Sequence, residues 1–161
     1  EGTRPLLVEV QALASPTVYP NPRRTANGVD FNRMLLITAV LVKRVGIRLY
    51  EKDIVVNVIS GLKVDEPAAD LALAVAVASS AWDVPVPADM AFVGEIGLSG
   101  ELRVVSQTAT RVREAAKLGF KRLVLPKTYR KDDISERGIE IIRARSVDEA
   151  LGIALPKPER V

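Results

Sequence analysis

Strand-type and helix-type segments alternate along this sequence, and that alternation limits the possible folds more than any other feature. Residues 53–60 read DIVVNVIS, a run rich in the β-branched residues that strands favour. An alanine-rich run, PAADLALAVAVASSAW at 67–82, follows and favours a helix. Strands that alternate with helices predict an α/β domain in which helices pack on a mixed sheet.

The rest of the chain continues the alternation. Asp30 can cap a long apolar helix over 29–44 and Gly46 can end it; this helix is expected to be deeply buried. The other expected elements are strands at 5–14, 122–127 and 139–144, helices at 107–118 and 146–154, a hairpin at 90–105 and a long extended loop at 15–28. We expect residues 1–155 to form a single domain and residues 156–161 a loose tail.

Two residue types are missing altogether, since the 161 residues include no cysteine and no histidine. Their absence excludes disulfides, thiolate nucleophiles, Cys/His zinc sites and histidine general bases within this sequence. It also favours a reducing compartment, so we expect a cytoplasmic protein. The longest apolar run, residues 34–42, is too short to cross a bilayer, and no membrane association is expected. Because the chain opens on Glu1, we expect a fragment of a longer protein.

The turn before the alanine-rich helix lies where many enzymes place a nucleophile or a phosphate loop. Its sequence, GLKVDEPAAD, lacks the spacing of a phosphate-binding loop and sets two carboxylates where phosphate would lie. Asp65, Glu66 and Asp70 can form a metal or acid–base cluster. Helix capping also explains them, with Asp65 as N-cap, Glu66 near the positive helix end and Pro67 in the first turn. Capping needs no ligand, and we expect no metal.

The segment GLSG around Ser99 has some likeness to a nucleophile elbow, a sharp turn that exposes a catalytic serine. It lacks the final glycine and falls in the expected hairpin. A serine–lysine pair remains chemically possible without histidine, because a desolvated lysine can serve as the base. A turn in the hairpin explains Ser99 without any chemistry.

Basic residues on loops are the remaining functional signal in a chain whose formal charge is +3. Arg23 and Arg24 lie in the expected loop at 15–28, and KRLVLPKTYRK at 121–131 holds five basic residues with a tyrosine among them. Such residues neutralise phosphates, and aromatic rings between them stack on bases. The acidic segment DDISE follows at once, so a solvated charged face is an alternative explanation. The residues alone leave both explanations open.

Several motifs together resemble known families. GEIGLSGELRVVSQTATRVREAAKLGFKRLVLPK resembles the proteolytic domain of Lon proteases, and VDEPAADLALAVAVASS resembles the Lon segment that carries the catalytic serine. SPTVYPNPRRTANGVDFNRMLLITAVLVKR is closer to the C-terminal Lon-like domain of the RadA (Sms) family, bacterial RecA-related DNA repair proteins. The resemblance covers nearly the whole chain. It implies the ribosomal-protein-like βαβ fold of the Lon proteolytic domain.

The resemblance also implies that the protease dyad is lost. Aligned on these motifs, the Lon serine falls on Ala68 and the Lon lysine falls on Ala109, and neither methyl group can attack a carbonyl or accept a proton. Glu66 and Asp70 replace the two glycines of the Lon segment and bring charge to the place of the substrate backbone. Ala109 is expected on a packing face of its helix with Val112 and Ala116. We therefore expect a pseudo-protease domain without catalytic residues.

Membership of the RadA family would imply a six-membered ring that takes part in homologous recombination and DNA repair. The ATP, magnesium and zinc sites of that family would lie in parts outside this fragment. Our main hypothesis is a hexamerisation scaffold that also binds DNA, and the alternative is a pure scaffold with DNA contact made elsewhere. The expected phosphate contacts are Arg23 and Arg24, then Lys121 and Arg122; weaker candidates for DNA or subunit contacts are Lys43, Arg44, Lys127, Arg130 and Lys131.

Overall fold

The computed structural model describes residues 7–59, 63–128 and 132–156. The expected residues Arg130 and Lys131 and nearly all of the expected tail therefore lie outside the described residues. The strands are β1 Val10–Pro16, β2 Arg24–Asn27, β3 Lys52–Val58, β4 Met90–Phe92, β5 Glu95–Ile96, β6 Leu102–Arg103, β7 Arg122–Pro126 and β8 Glu140–Ala144. The α-helices are α1 Phe31–Val40, α2 Asp70–Trp82, α3 Thr108–Lys117 and α4 Val147–Ala154. The predicted α/β class is confirmed.

The first sheet has the strand order β1-β3-β2 and is mixed, as predicted. Strand β1 runs antiparallel to β3, whereas β2 runs parallel to it, so β2, α1 and β3 form a βαβ unit. The prediction of an unbroken loop over 15–28 was wrong, because β2 lies inside it. Its pairing partner is β3, some thirty residues further along the chain, and a pairing of that kind leaves no local signal.

The other described strands form two smaller sheets. A parallel sheet has the order β4-β7-β8, and β5 and β6 form a two-stranded antiparallel sheet. The predicted hairpin over 90–105 is therefore shorter than expected: it consists of β5 and β6 only. Strand β4 pairs instead with β7, whose partner residues are Arg122 to Val124.

Helix α1 begins and ends where its sequence signals predict. The Asp30 side chain accepts a hydrogen bond from the Arg33 N–H, and a π-helical turn, Leu41–Val45, continues the helix to Gly46. Gly46 has φ +83°, a left-handed conformation that glycine adopts without strain. The expectation of deep burial was wrong for one face, because Phe31 is 46% exposed and Leu35 39% exposed.

Helix α2 is buried along most of its length and forms the centre of the larger core cluster. A 3₁₀ turn, Pro67–Ala69, precedes it, and neither element has a side-chain cap. The expectation that Asp65 caps this helix was therefore wrong, although Pro67 does begin the first turn. Helix α4 is capped as predicted, since the Ser146 hydroxyl accepts from the Glu149 N–H.

The described residues build their core from aliphatic side chains. The larger cluster joins α1, α2 and α4 with β3, and a smaller one joins α3 to the β7 region. Within the described ranges, no helix is both long and apolar enough to span a bilayer.

Candidate functional site

The turn before α2, which includes Ala68, is fixed by backbone hydrogen bonds. Ala68 is 4% exposed, and its carbonyl accepts from the Gly94 N–H at 3.0 Å. The Leu71 N–H in turn donates to the Gly94 carbonyl at 3.1 Å. A side chain at Gly94 would place Cβ 3.2 Å from the Pro126 ring. The Ala68 methyl is thus a buried packing group.

Asp70 occupies the interior next to this turn. It is 4% exposed and accepts from the Ile96 N–H at 3.1 Å, and it also accepts from the Arg33 guanidinium, with Nε 3.3 Å from Oδ1. Burial raises the pKa of the Asp70 carboxyl, and the bonds from Arg33 and Ile96 partly offset that rise. Asp70 therefore joins α1, α2 and β5.

The helix that carries Ala109 approaches the same turn. Arg111 lies 3.6 Å from Glu66, and its Nε donates to the Ser106 carbonyl at 2.9 Å. Ala109 itself is exposed, so the expectation that it packs with Val112 was wrong. Val112 is buried, and Ala116 packs against the smaller core cluster. Ala68 and Ala109 differ in burial, and each has only a methyl side chain.

The carboxylates of the turn do not converge on a ligand. Asp70 is engaged internally, whereas Glu66 is 56% exposed and pairs with Arg111. Among the described residues no group of three or more His, Cys, Asp or Glu side chains is placed to hold a metal ion. Ser99 lies exposed in the turn between β5 and β6, and its N–H donates to Glu101 Oε1 at 3.1 Å. Ser99 therefore lies in a hairpin turn, as the sequence predicted.

Arg23 lies just before β2, at the end of the first sheet. Its side chain is 64% exposed, and its guanidinium lies over the ring of Tyr19, with Cζ 4.2 Å from the ring centroid. Its backbone N–H donates to Asp53 Oδ1 at 2.7 Å, a bond that lowers the pKa of the Asp53 carboxyl. A second contact, 3.7 Å long, joins the Arg23 guanidinium to Asp53. Arg23 is thus an exposed cation held by a ring and a carboxylate.

Arg24, its neighbour, has a different environment. Its guanidinium donates to the backbone carbonyls of Arg23, Lys52 and Leu49, at 3.2 Å for Arg23 and 2.8 Å for Leu49. Burial lowers the pKa of the Arg24 guanidinium, and the Asp53 charge opposes that shift. Arg24 therefore ties the start of β2 to the turn before β3.

The loops before β2 and β3 bring together further residues that were not predicted as candidates from the sequence. The Thr17 N–H donates to the Glu51 carbonyl at 2.9 Å, so the loops before β2 and β3 lie side by side. Tyr50, 56% exposed, and Arg48, also exposed, lie in the second loop. We name this end of the sheet the loop-end surface; it comprises Tyr19, Arg23, Arg48, Tyr50 and Lys52. A signal was present in the sequence, because IRLYEK at 47–52 also places an aromatic residue between basic ones.

The other expected contacts lie elsewhere. Arg122 opens β7 and forms an ion pair with Asp89 at 2.7 Å, while Lys121 and Lys127 are exposed at the two ends of that strand. Lys43 and Arg44 are exposed at the end of the first helix, and Arg44 Nε donates to the Leu98 carbonyl at 3.3 Å. The structure thus brings Arg23 and Arg24 together at one sheet and places Lys121 and Arg122 at another.

This chain is similar to one protein family model and to several curated proteins. The family model described as "Subunit ChlI of Mg-chelatase" matches residues 32–129. The DNA repair protein RadA of Bacillus subtilis is 53% identical over 156 residues, which is 96% of this chain and 34% of that protein. RadA of Listeria monocytogenes is 49% identical over 97% of the chain and 34% of its own length. RadA of Synechocystis sp. is 50% identical over 99% and 31%.

The chain spans about a third of the length of these curated relatives. The similarity extends over nearly all of the chain and includes the loop before β2 and helix α1. The family model matches well over half of the chain, from α1 into the segment after β7. The chain therefore belongs to the family that this model describes and is a homologue of one third of the DNA repair protein RadA.

Proposed function

We propose that this chain is a non-catalytic domain of a DNA repair protein that binds DNA through the loop-end surface. The relatives carry the name DNA repair protein RadA, which motivates the ligand. The observation that carries the proposal is the exposed Arg23 side chain, which lies over the Tyr19 ring at the end of the sheet where the loop with Arg48 and Tyr50 also runs. Guanidinium and ammonium groups bind phosphate, and the rings offer faces to bases.

The proposal makes the domain a pseudo-protease. The positions that align with a serine and a lysine in Lon proteases hold Ala68 and Ala109, and a Ser–Lys mechanism needs both polar groups. Asp70 and Arg33 fill the neighbouring interior with an ion pair, which leaves a substrate backbone no free partner there. The resemblance to Lon thus extends to the motifs and not to the chemistry.

The contacts set an order among the proposed DNA ligands. Arg23 comes first, because its side chain is mostly exposed and a phosphate would displace only the 3.7 Å contact with Asp53. Arg24 and Arg122 come later, since one holds three backbone carbonyls and the other an aspartate at 2.7 Å. Lys121 is exposed and can act as a second contact at the other sheet.

We propose in addition that the domain assembles into a hexameric ring. Phe31 and Leu35 lie one turn apart on α1 and leave an apolar face exposed, which a neighbouring subunit can cover. ATP, magnesium and zinc would bind to parts of the protein outside this chain. A pure scaffold is the second candidate; it is favoured by the internal hydrogen bonds of Arg24, which leave this domain fewer free cations.

Binding of fluorescent DNA to the purified chain at low and raised salt, together with light scattering, tests these proposals. The Arg23→Gln variant removes the leading charge, and the Arg137→Gln variant removes one exposed charge from a loop of a different sheet as a control. We expect salt-sensitive binding that Arg23→Gln weakens and Arg137→Gln leaves within about twofold. A ring that has no DNA affinity at low salt would leave only the scaffold.

A further inference from the structure

Strand β1 is an edge strand within the described sheet, and its hydrogen bonds show which backbone groups point away from β3. The Ile59 N–H donates to the Glu9 carbonyl at 3.0 Å, and the Thr17 N–H donates to the Glu51 carbonyl at 2.9 Å. Antiparallel strands alternate between residues that pair with the neighbour and residues that face outward. The odd-numbered residues from 9 to 17 therefore pair with β3.

The even-numbered residues of β1 accordingly face the free edge. The Ala14 N–H donates to the Ser80 hydroxyl of α2 at 2.9 Å, which confirms its outward direction. Pro16, which has no N–H, occupies another outward position, so no hydrogen bond to β3 is lost there. Two residues remain, Val10 and Ala12, and within the described ranges their outward backbone groups have no recorded partner.

These backbone groups open into a groove of about 560 Å³. Ala12 contributes from the inner face of the sheet, and Leu13 contributes from the outer face, so the groove lies in the plane of the sheet. The small side chains of Ala76 and Ser79 on α2 line it as well, together with Val86. Every side chain that lines the groove is uncharged.

The size of the groove fits a short strand. A strand residue rises about 3.4 Å, neighbouring strands lie about 4.8 Å apart, and packed layers lie about 10 Å apart, which gives about 160 Å³ per residue. A groove of about 560 Å³ therefore has room for a short segment of a few residues. Pairing at Val10 and Ala12 needs a segment of that length.

We infer that this edge groove binds an extended, uncharged peptide segment as an additional strand on β1. Main-chain bonds to Val10 and Ala12 hold the segment. Its inward side chains are small or β-branched, because they meet Ala76 and Val86. Its outward side chains are uncharged, polar or apolar, because they lie beside both Leu13 and the amide of Gln11.

The occupant to which we commit is a segment of the same polypeptide in the longer relatives. About two thirds of their length lies outside the part that matches this chain. Leu7, the first described residue, lies only three residues before Val10. A segment of the same polypeptide reaches the groove at a raised effective concentration when its linker spans the distance, so a short strand with modest intrinsic affinity suffices.

The groove is separate from the degenerate catalytic position. Ala68 precedes the helix α2, whereas Ser80 lies near its last turn. A separation of twelve residues along a helix corresponds to roughly 18 Å. The groove therefore does not correspond to the place where a Lon nucleophile would act.

Overlapping peptides of about ten residues, which tile the part of Bacillus subtilis RadA outside the match, provide the test. Their binding is measured by fluorescence anisotropy. The Ala12→Pro variant removes the outward N–H and leaves the β1–β3 ladder bonds intact. The Ala76→Leu variant fills the groove from α2, and it keeps the inference testable if Ala12→Pro fails to fold. Leu118→Ala, which truncates an exposed apolar side chain just after α3, serves as the control.

We expect at least one uncharged, alternating peptide to bind and both groove variants to weaken it about tenfold or more, with the control unchanged. Protection of the Ala12 amide from hydrogen exchange on binding would support the strand arrangement. Absence of binding by every peptide, or binding that neither groove variant alters, would overturn the inference. Self-association that Ala12→Pro abolishes would also overturn it, because a second copy would then be the occupant.

Discussion

The Arg23 guanidinium lies between two partners: the Tyr19 ring, 4.2 Å from Cζ, and the Asp53 carboxylate, 3.7 Å away. The ring restricts the guanidinium without neutralising it, whereas the carboxylate competes with any phosphate. The aspartate also accepts the Arg23 N–H and so holds the loop in place. The Tyr19 ring thus positions the Arg23 guanidinium, whereas its contact with the Asp53 carboxylate opposes phosphate binding.

Replacing Tyr19 with leucine should weaken DNA binding about two- to fivefold, since an exposed cation–π contact contributes about 0.5–1 kcal/mol. Replacement with phenylalanine retains the ring face and should leave binding within about twofold of the unmodified chain. Anisotropy titrations with both variants check this. Equal losses in the two variants would assign the effect to the hydroxyl and contradict a role for the ring.

Replacing Asp53 with asparagine should strengthen DNA binding about two- to threefold, because it removes the competing charge and keeps an oxygen for the Arg23 N–H. The gain should shrink as salt is raised, since salt weakens the attraction between the phosphates and the exposed Arg23 side chain for which Asp53 competes. The Asp133→Asn variant, which removes an exposed carboxylate from another loop, is the matched control. A loss of affinity in Asp53→Asn would mean that the carboxylate assists binding.

Arg24 should matter more for stability than for DNA binding. Its removal takes the side-chain donor from the Lys52 carbonyl and leaves the Leu49 carbonyl with only the Lys52 N–H, at 3.2 Å. Arg24→Gln should therefore lower the free energy of unfolding by about 1–3 kcal/mol. Urea unfolding measures this loss, and it should exceed the loss from Arg23→Gln. An Arg24→Gln chain of unchanged stability that no longer binds DNA would reverse the two assignments.

Replacing Arg33 with alanine should destabilise the fold in a pH-dependent way. The Asp70 pKa is already raised by burial, and loss of Arg33 raises it further. A raised folded-state pKa gives stability that is present below the unfolded pKa and is lost as pH rises through the folded value. The variant should therefore be about 3 kcal/mol less stable near neutral pH and recover as pH falls towards the ordinary aspartate range.

Urea denaturation of Arg33→Ala at a series of pH values provides the measurement. Arg137→Ala, at an exposed loop position, serves as the control and should change the free energy of unfolding by less than about 0.5 kcal/mol at every pH. A destabilisation of Arg33→Ala that does not vary with pH would show that the Asp70 charge is unimportant and that only packing was lost.

Local signals predicted the helices well. Asp30 marks the start of the first helix, Gly46 marks its end, and Ser146 caps the last helix. Each of these signals acts through neighbouring backbone groups. Strand β2 escaped prediction because its pairing with β3 is distant in sequence. The Asp65 cap failed because the helix begins through a 3₁₀ turn at Pro67 instead. The β2 pairing is nonlocal, and the start of α2 depends on the backbone geometry at Pro67, so local sequence signals missed both.

The candidate site was predictable only in part. The sequence pointed to Arg23 and Arg24 together, and the structure separates their environments: one guanidinium is exposed and the other binds backbone carbonyls. Burial also separates Ala68, which is packed, from Ala109, which is exposed. A sequence shows which residues are charged, but the neighbours of each charge depend on tertiary contacts.

The salt dependence of DNA affinity for the unmodified chain and for Arg23→Gln tests the proposed interface most directly. Each phosphate neutralised contributes about 0.7–0.9 to the slope of log affinity against log salt. We predict a lower affinity for Arg23→Gln and a slope reduced by about one unit, with Arg137→Gln unchanged. Identical slopes and affinities for all three proteins would place DNA contact away from Arg23 and contradict the loop-end surface as the DNA-binding site.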